Sequence, residues 1–267
     1  MASSPKEPVT GWQRDVVIRV DRLLYVFSRH WLAVFNVVVA IYVALPILAP
    51  VLMKAGARGP ANFIYTIYSP MCHQMATRSF FLFGEQVAYP RELANTDLAP
   101  LEAYAGDIPE FAGVDPDNWI NFFFAARRFI GNEELGYKMA LCERDIAIYG
   151  FVLIGGLVYG LLRRRYHVKP LPLLLFIIVG LGPIALDGFS QLFGYYATLF
   201  ETAEPSAAAT FIQSVFPLRE STPLLRTLTG ALFGFMLVWL AYPRIEEGMK
   251  GTERDLERKL RRIGEIE

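Results

Sequence analysis

Four stretches of this chain, Trp31 to Met53, Ile146 to Leu162, Leu171 to about Leu192 and Leu224 to Tyr242, are apolar enough to cross a hydrocarbon core, which takes roughly 20 residues of helix. Segments placed in lipid must satisfy their backbone polar groups internally, which restricts them to helices or a closed barrel. At this length and hydrophobicity they predict an all-α, polytopic helical bundle of about four transmembrane helices. The composition agrees: 54% hydrophobic and 14% aromatic residues, with a mean hydropathy of +0.32. Lys+Arg and Asp+Glu both total 26, so net charge offers no reason to expect nucleic acid as a partner.

Charge placement orients the spans. The connection from Arg163 to Lys169 carries Arg163, Arg164, Arg165 and Lys169, and both terminal segments are rich in Lys and Arg. The positive-inside rule puts all three in the cytoplasm of a multi-pass cell-membrane protein, with the 54–145 and 200–223 loops outside. No small-residue cleavage site follows the first 31 residues, so a removable signal peptide is not expected. Residues 1–30 read as a cytoplasmic interfacial helix, amphipathic over 12–29. Residues 31–243 form the membrane domain. Residues 244–267 are a charged helix whose Met249, Leu256, Leu260 and Ile263 line one stripe, suited to a partner, a second copy of the chain, or the protein itself. The aromatic segment 61–84 carries Pro70, His73, Gln74 and Arg78 near its middle. Counting it as a fifth span would send the arginine loop outside, so it is expected to be re-entrant or interfacial on the outer side. Residues 85–141 hold ten acidic against four basic side chains and four prolines, as in an outer acidic lid or small subdomain.

Ionisable side chains beside apolar spans are expensive and usually functional. At 1.5 Å per residue Asp187 lies roughly 24 Å along its span, in the outer third, with Gln191 one turn beyond. Pro183 should kink the helix just before them. Gly156-x-x-x-Gly160 and Gly230-x-x-x-Gly234 permit close helix contact. Cys72, His73, Cys142 and Asp145 offer the ligand types zinc accepts, although Cys72 and His73, being adjacent, diverge by about 100° on a helix. A Cys72–Cys142 disulfide or free thiols are the alternatives. Asp187 and Arg226 are expected to approach each other, with Gln191 and Thr222 assisting, whether as a structural salt bridge or as part of a site. Gln74, Arg78, Ser79, Arg144, Gln191 and Arg226, with Arg219 nearby, suit a pocket for the phosphate or carboxylate headgroup of a membrane lipid. His73 and Asp187 are the acid/base candidates if the protein is an enzyme, a hydrolase or transferase acting on a lipid-linked phosphate. The leading reading is instead a non-enzymatic protein whose polar cluster is structural or binds a lipid headgroup or metal ion, with the enzyme as the alternative. A transporter would need more alternating-access machinery than four spans without inverted repeats provide.

In order along the chain, Cys72-His73-Gln74 with Arg78-Ser79-Phe80, Cys142-x-Arg144 continuing to Tyr149-Gly150, Pro183-x-x-x-Asp187-Gly188-x-x-Gln191, and Ser221 to Arg226 with Thr229-Gly230 resemble the signature blocks of DUF2085, an uncharacterised family of prokaryotic membrane proteins. The resemblance covers roughly residues 60–240 and implies one shared site without naming its chemistry. It also implies that the 85–138 stretch is an insertion. Asp145 stands where the family commonly carries a second cysteine, which argues against a three-thiol site in this chain.

Overall fold

The computed structural model describes residues 11–116, 118–199 and 207–267. The first ten residues of the expected terminal helix and residues 200–206 of the expected 200–223 loop lie outside that set. The chain runs α1 (Trp12–Lys54), α2 (Arg58–Tyr68), β1 (Phe81–Leu82), α3 (Trp119–Arg128), β2 (Gly131–Asn132), β3 (Gly136–Lys138) and α4 (Glu143–Leu162). It continues with α5 (Leu173–Leu175), a π-helical stretch (Phe176–Leu181), α6 (Gly182–Leu199), α7 (Ala207–Val215) and α8 (Pro223–Arg262). Four helical units, α1, α4, the composite α5–α6 and α8, are long and apolar enough to cross a membrane.

Helices α1 and α8 hold 43 and 40 residues, roughly 60 Å each and about twice a hydrocarbon core. The segments expected as separate terminal helices are therefore continuous with the first and fourth spans. They pack on one another: Lys259 Nζ lies 2.6 Å from Asp21, Arg22 pairs with Glu265, and Leu260 is fully buried. Nearer the bundle, Trp31 Nε1 donates to Glu246 at 2.8 Å and Arg163 reaches the same carboxylate at 2.5 Å. The charged tail thus packs along α1 of the same chain. These contacts also put the arginine loop and both terminal helical extensions at one end of the bundle.

The two glycine pairs serve different interfaces. On α8, a Cβ at Gly234 would stand 2.1 Å from the Ile148 carbonyl oxygen and one at Gly230 2.7 Å from that of Arg144, so α8 lies directly on the backbone of α4. On α4, a Cβ at Gly156 would meet Asn36 Oδ1 of α1 at 2.2 Å. Close approach of this kind drives helix association where lipid removes the hydrophobic incentive. Trp31, Tyr159, Val238 and Tyr242 fill the junction of the three helices. In the third span Pro183 has no N–H to give the preceding turn. The helix widens into π turns over Phe176–Leu181 just before it, a common adjustment at functional sites.

The other end carries a cap. Residues 85–141 fold around Phe81, Tyr89, Leu101, Ile108, Phe111, Phe122, Phe129 and Leu135, braced by a small antiparallel sheet of order β1-β3-β2 that pairs Phe81 with Lys138 and Gly131 with Tyr137. Helix α2 buries Ala61, Ile64, Tyr65 and Tyr68 and leaves Phe63 exposed. Tyr68 donates to the Tyr42 carbonyl of α1 at 2.8 Å and Tyr65 to the Lys138 carbonyl of the cap at 2.5 Å. The 61–84 segment is helical as far as Tyr68, turns over residues 69–71, and passes through 72–75 without regular structure to the 3-10 turn Ala76–Arg78 and β1.

Candidate polar site beneath the cap

The irregular segment after α2 brings Cys72 toward the start of α4. Its conformation is held by Gln74, whose φ of 52° is uncommon for a residue with a side chain. The Gln74 side-chain amide donates to the Tyr65 and Ala140 carbonyls, both at 2.9 Å, and the Gln74 backbone carbonyl accepts from Lys138 Nζ at 2.5 Å. Gln74 is therefore a positioning residue with its amide engaged. Lys138 is buried and also donates to the carbonyls of Ala126 at 3.3 Å and Arg127 at 2.8 Å. Burial lowers its pKa to about 7. Ser79, fully buried, closes the 3-10 turn by donating to the Met75 carbonyl at 2.9 Å.

Cys142 immediately precedes α4, and Asp145 lies one turn in. The Cys142 thiol sits 3.2 Å from Asp145 Oδ2, and one ligand atom from each of Cys72, Cys142 and Asp145 lies within 4.8 Å of the others. Both cysteines are free thiols. Their mutual hydrogen bond pulls Cys72 below its ordinary pKa and, with burial, pushes Cys142 above its own. His73 stands apart from this trio, its ring set against Phe123 at 5.8 Å between centroids.

Two ion networks flank the trio. Asp187, 4% exposed, accepts from Arg144, from Arg219 Nη2 at 2.6 Å and from Ser221 Oγ at 2.7 Å. Arg219 also reaches Ser190 Oγ at 2.9 Å. The second network centres on Glu220, which pairs with Arg226, with Arg78 at 2.8 Å and with the Tyr195 hydroxyl at 2.6 Å. Arg226 further contacts Glu143 at 3.2 Å and the Thr77 carbonyl at 3.3 Å. Burial raises the Glu220 pKa, and Arg78 and Arg226 more than reverse this, leaving it below the ordinary value. The expected Asp187–Arg226 pair does not form. Asp187 is taken by arginines from α4 and from the segment before α8, while Arg226 faces the two glutamates. Thr222 caps α8 instead, accepting from Leu225 N at 3.1 Å.

Between the networks and the trio lies a cavity in two lobes. The first, about 350 Å³, is lined by Cys72, His73, Arg78, Cys142, Arg144, Asp145, Gln191 and Arg226 among others. The second, about 330 Å³, runs beneath α3 along Trp119, Phe122 and Phe123. His73, Met75, Arg78, Arg144 and Gln191 line both. Asp187 lines neither, its carboxylate being turned into its ion pairs. Beyond the residues that the sequence assigns to the site, Arg219 among them, the structure adds Glu143, Glu220, Ser221, Lys138 and Tyr195. Glu143 and Glu220 each adjoin an arginine beside an apolar span, which is a readable signal. Lys138 gave none, because nothing in its neighbourhood of the sequence indicates burial.

Among proteins already known, an uncharacterized protein, MJ1492, of Methanocaldococcus jannaschii is 26% identical over 180 residues, covering 67% of each chain. No solved structure matches the chain. The family model described as "Predicted membrane protein (DUF2085)" matches residues 133–240, a stretch that includes Cys142, Asp145, Asp187, Gln191 and Arg219 to Arg226 and begins after the Cys72 segment. Over residues 133–240 this membrane protein is therefore similar to the predicted membrane proteins of the DUF2085 family.

Proposed function

We propose that the protein holds a thiophilic divalent cation, zinc in the first instance, on Cys72, Cys142 and Asp145, in a cavity that faces the cell exterior. The observation that carries this is the convergence of two thiols and a carboxylate within 4.8 Å, drawn from segments 70 residues apart. Zinc accepts sulfur and carboxylate donors, and three protein ligands leave a fourth position open, the arrangement of catalytic rather than purely structural sites. That open position would adjoin the cavity, where Arg144 and Arg78 supply positive charge. His73 on the cavity wall is the side chain placed to carry a proton, should the site hydrolyse or transfer a group.

The exterior orientation is supported by the arginine loop and both terminal helical extensions gathering at the end opposite the cap. That arrangement is what the positive-inside rule prefers for cytoplasmic termini. Thiol labelling from either side of sealed vesicles tests it: Cys142 reacting only from the cytoplasmic face would reverse the assignment.

The metal itself is tested by elemental analysis of protein purified without chelator. About one zinc per chain is expected, lost in Cys72→Ser and Cys142→Ser and weakened in Asp145→Asn. Protein free of metal after zinc loading, retention unaffected by these substitutions, or recovery of the two cysteines as a disulfide would refute the reading.

A further inference from the structure

We infer that the cavity also receives the phosphate headgroup of an anionic lipid, with one acyl chain lying in the cleft between α1 and α4. This goes beyond the metal site, since the groups that would recognise the lipid are not the metal's ligands.

Gln191 is only 5% exposed, lines both lobes, and its Nε2 has no hydrogen-bond partner among the described residues. Arg144 lines the same two lobes, and its buried Nε is likewise unpartnered. A guanidinium donates and never accepts, so whatever completes Arg144 must present lone pairs. Within the Asp187 network, Arg144 and Arg219 share a single carboxylate, which leaves Arg144 with donor capacity to spare. An oxyanion in the cavity answers the missing acceptors, and arginine–phosphate contacts are among the stronger hydrogen bonds available.

A third lobe decides that the oxyanion belongs to a lipid. About 400 Å³ in volume, it is lined by Val38, Val39 and Tyr42 of α1, Tyr149 and Asp145 of α4, and Met71. It shares Met71 and Asp145 with the Cys72 lobe. Val38 is 59% exposed, on the face of a membrane-spanning helix that also shows Val37 and Ile41. An apolar lobe that opens on a lipid-facing helix surface and runs into a donor-lined cavity matches an amphiphile entering sideways from the bilayer. A free phosphate would have no use for it.

The test is calorimetric titration of the detergent-purified protein with dihexanoyl phosphatidic acid and, separately, with inorganic phosphate. Wild type should bind the lipid. Gln191→Leu and Gln191→Glu should weaken it about tenfold or more, the worth of one hydrogen bond to a charged group. Val38→Trp, which fills the apolar lobe, should weaken the lipid and leave any phosphate binding unchanged. Cys72→Ser/Cys142→Ser should lose zinc and keep the lipid, so failure of the metal reading leaves this one standing. Absence of lipid binding, indifference to both Gln191 variants in protein that keeps its wild-type thermal transition, or phosphate binding as tight as lipid binding with Val38→Trp silent would each overturn the proposal.

Discussion

Asp187→Asn is the substitution that most directly tests how the polar cluster is built. The carboxylate is 4% exposed and ties three parts of the chain: its own helix α6, Arg144 at the start of α4, and Arg219 and Ser221 on the approach to α8. Asparagine keeps the shape but has one acceptor oxygen and an NH₂ group. Whichever way the amide turns, its NH₂ meets either the Arg219 guanidinium or the Arg144 and Ser221 donors, so donor faces donor. Hydrogen bonds to charged groups are worth about 1.5–3 kcal/mol each, and breaking a buried ion pair by neutralising one partner costs about 3–5 kcal/mol. Here two guanidiniums lose their shared counter-charge, so the expected loss is about 3–5 kcal/mol, a large part of a typical net stability of about 5–15 kcal/mol. Thermal or denaturant unfolding in detergent, followed by helix content, reads it directly. Ser221→Ala serves as the scale, removing one neutral donor to the same carboxylate for about 1.5–3 kcal/mol. A shift for Asp187→Asn no larger than that of Ser221→Ala would refute the clamp. Asp187 would then have to be sought among the residues that touch a ligand.

Gly234→Ala should destabilise by about 1–3 kcal/mol or more because its Cβ would sit 2.1 Å from a backbone oxygen of α4. Gly150→Ala on α4, whose Cβ would meet nothing within 4 Å, should be neutral or slightly stabilising in the same unfolding assay. Leu260→Ala, at a fully buried position, should cost about 2–5 kcal/mol locally and raise amide hydrogen exchange over residues 12–30; unchanged exchange there would show that α8 does not brace α1. Lys138 makes stability depend on pH. Its pKa is about 7 folded against an ordinary value of 10.5 for a free lysine, so between those values the unfolded chain binds more protons. Stability should therefore rise with pH through that window, the charging penalty being complete below about 7 and absent above 10.5. Lys138→Met should flatten the rise while destabilising at every pH, because three carbonyls lose their donor.

What the sequence makes legible divides along a physical line. The four spans are local properties, since twenty consecutive residues carry the signal, and they appear as helices with somewhat different ends. The continuity of α1 from Trp12 to Lys54 escapes such a reading because hydropathy marks where the chain turns polar, not where hydrogen bonding stops. The cap is opaque for another reason. Its strands are two or three residues long and its helices run from single 3-10 turns to the ten residues of α3, mostly shorter than an alternation or helical period needs to declare itself. Its aromatic core is assembled from positions 81 to 135, and only Phe122, Ala125, Ala126 and Phe129 along α3 and its C-cap carry a helical period.

Ion pairing fails to be legible in a more instructive way. Arg219, Glu220 and Arg226 lie within eight residues, as do Glu143, Arg144 and Asp145. Composition alone allows any cation to meet any anion. The choice follows from helix phase: Glu143 and Arg144 point about 100° apart on α4, so one reaches Arg226 on α8 and the other Asp187 on α6. Once those pairs form, Glu143, Glu220 and Asp187 are committed to holding three spans and the cap together. The Cys72, Cys142 and Asp145 trio, His73 on its wall, and the unpartnered nitrogens of Gln191 and Arg144 are then what the cavity still offers a ligand. Substitutions in the first group should therefore act on unfolding, and those at the trio and at Gln191 on binding. A protein in which Gln191→Leu lost stability as heavily as Asp187→Asn would have no such division.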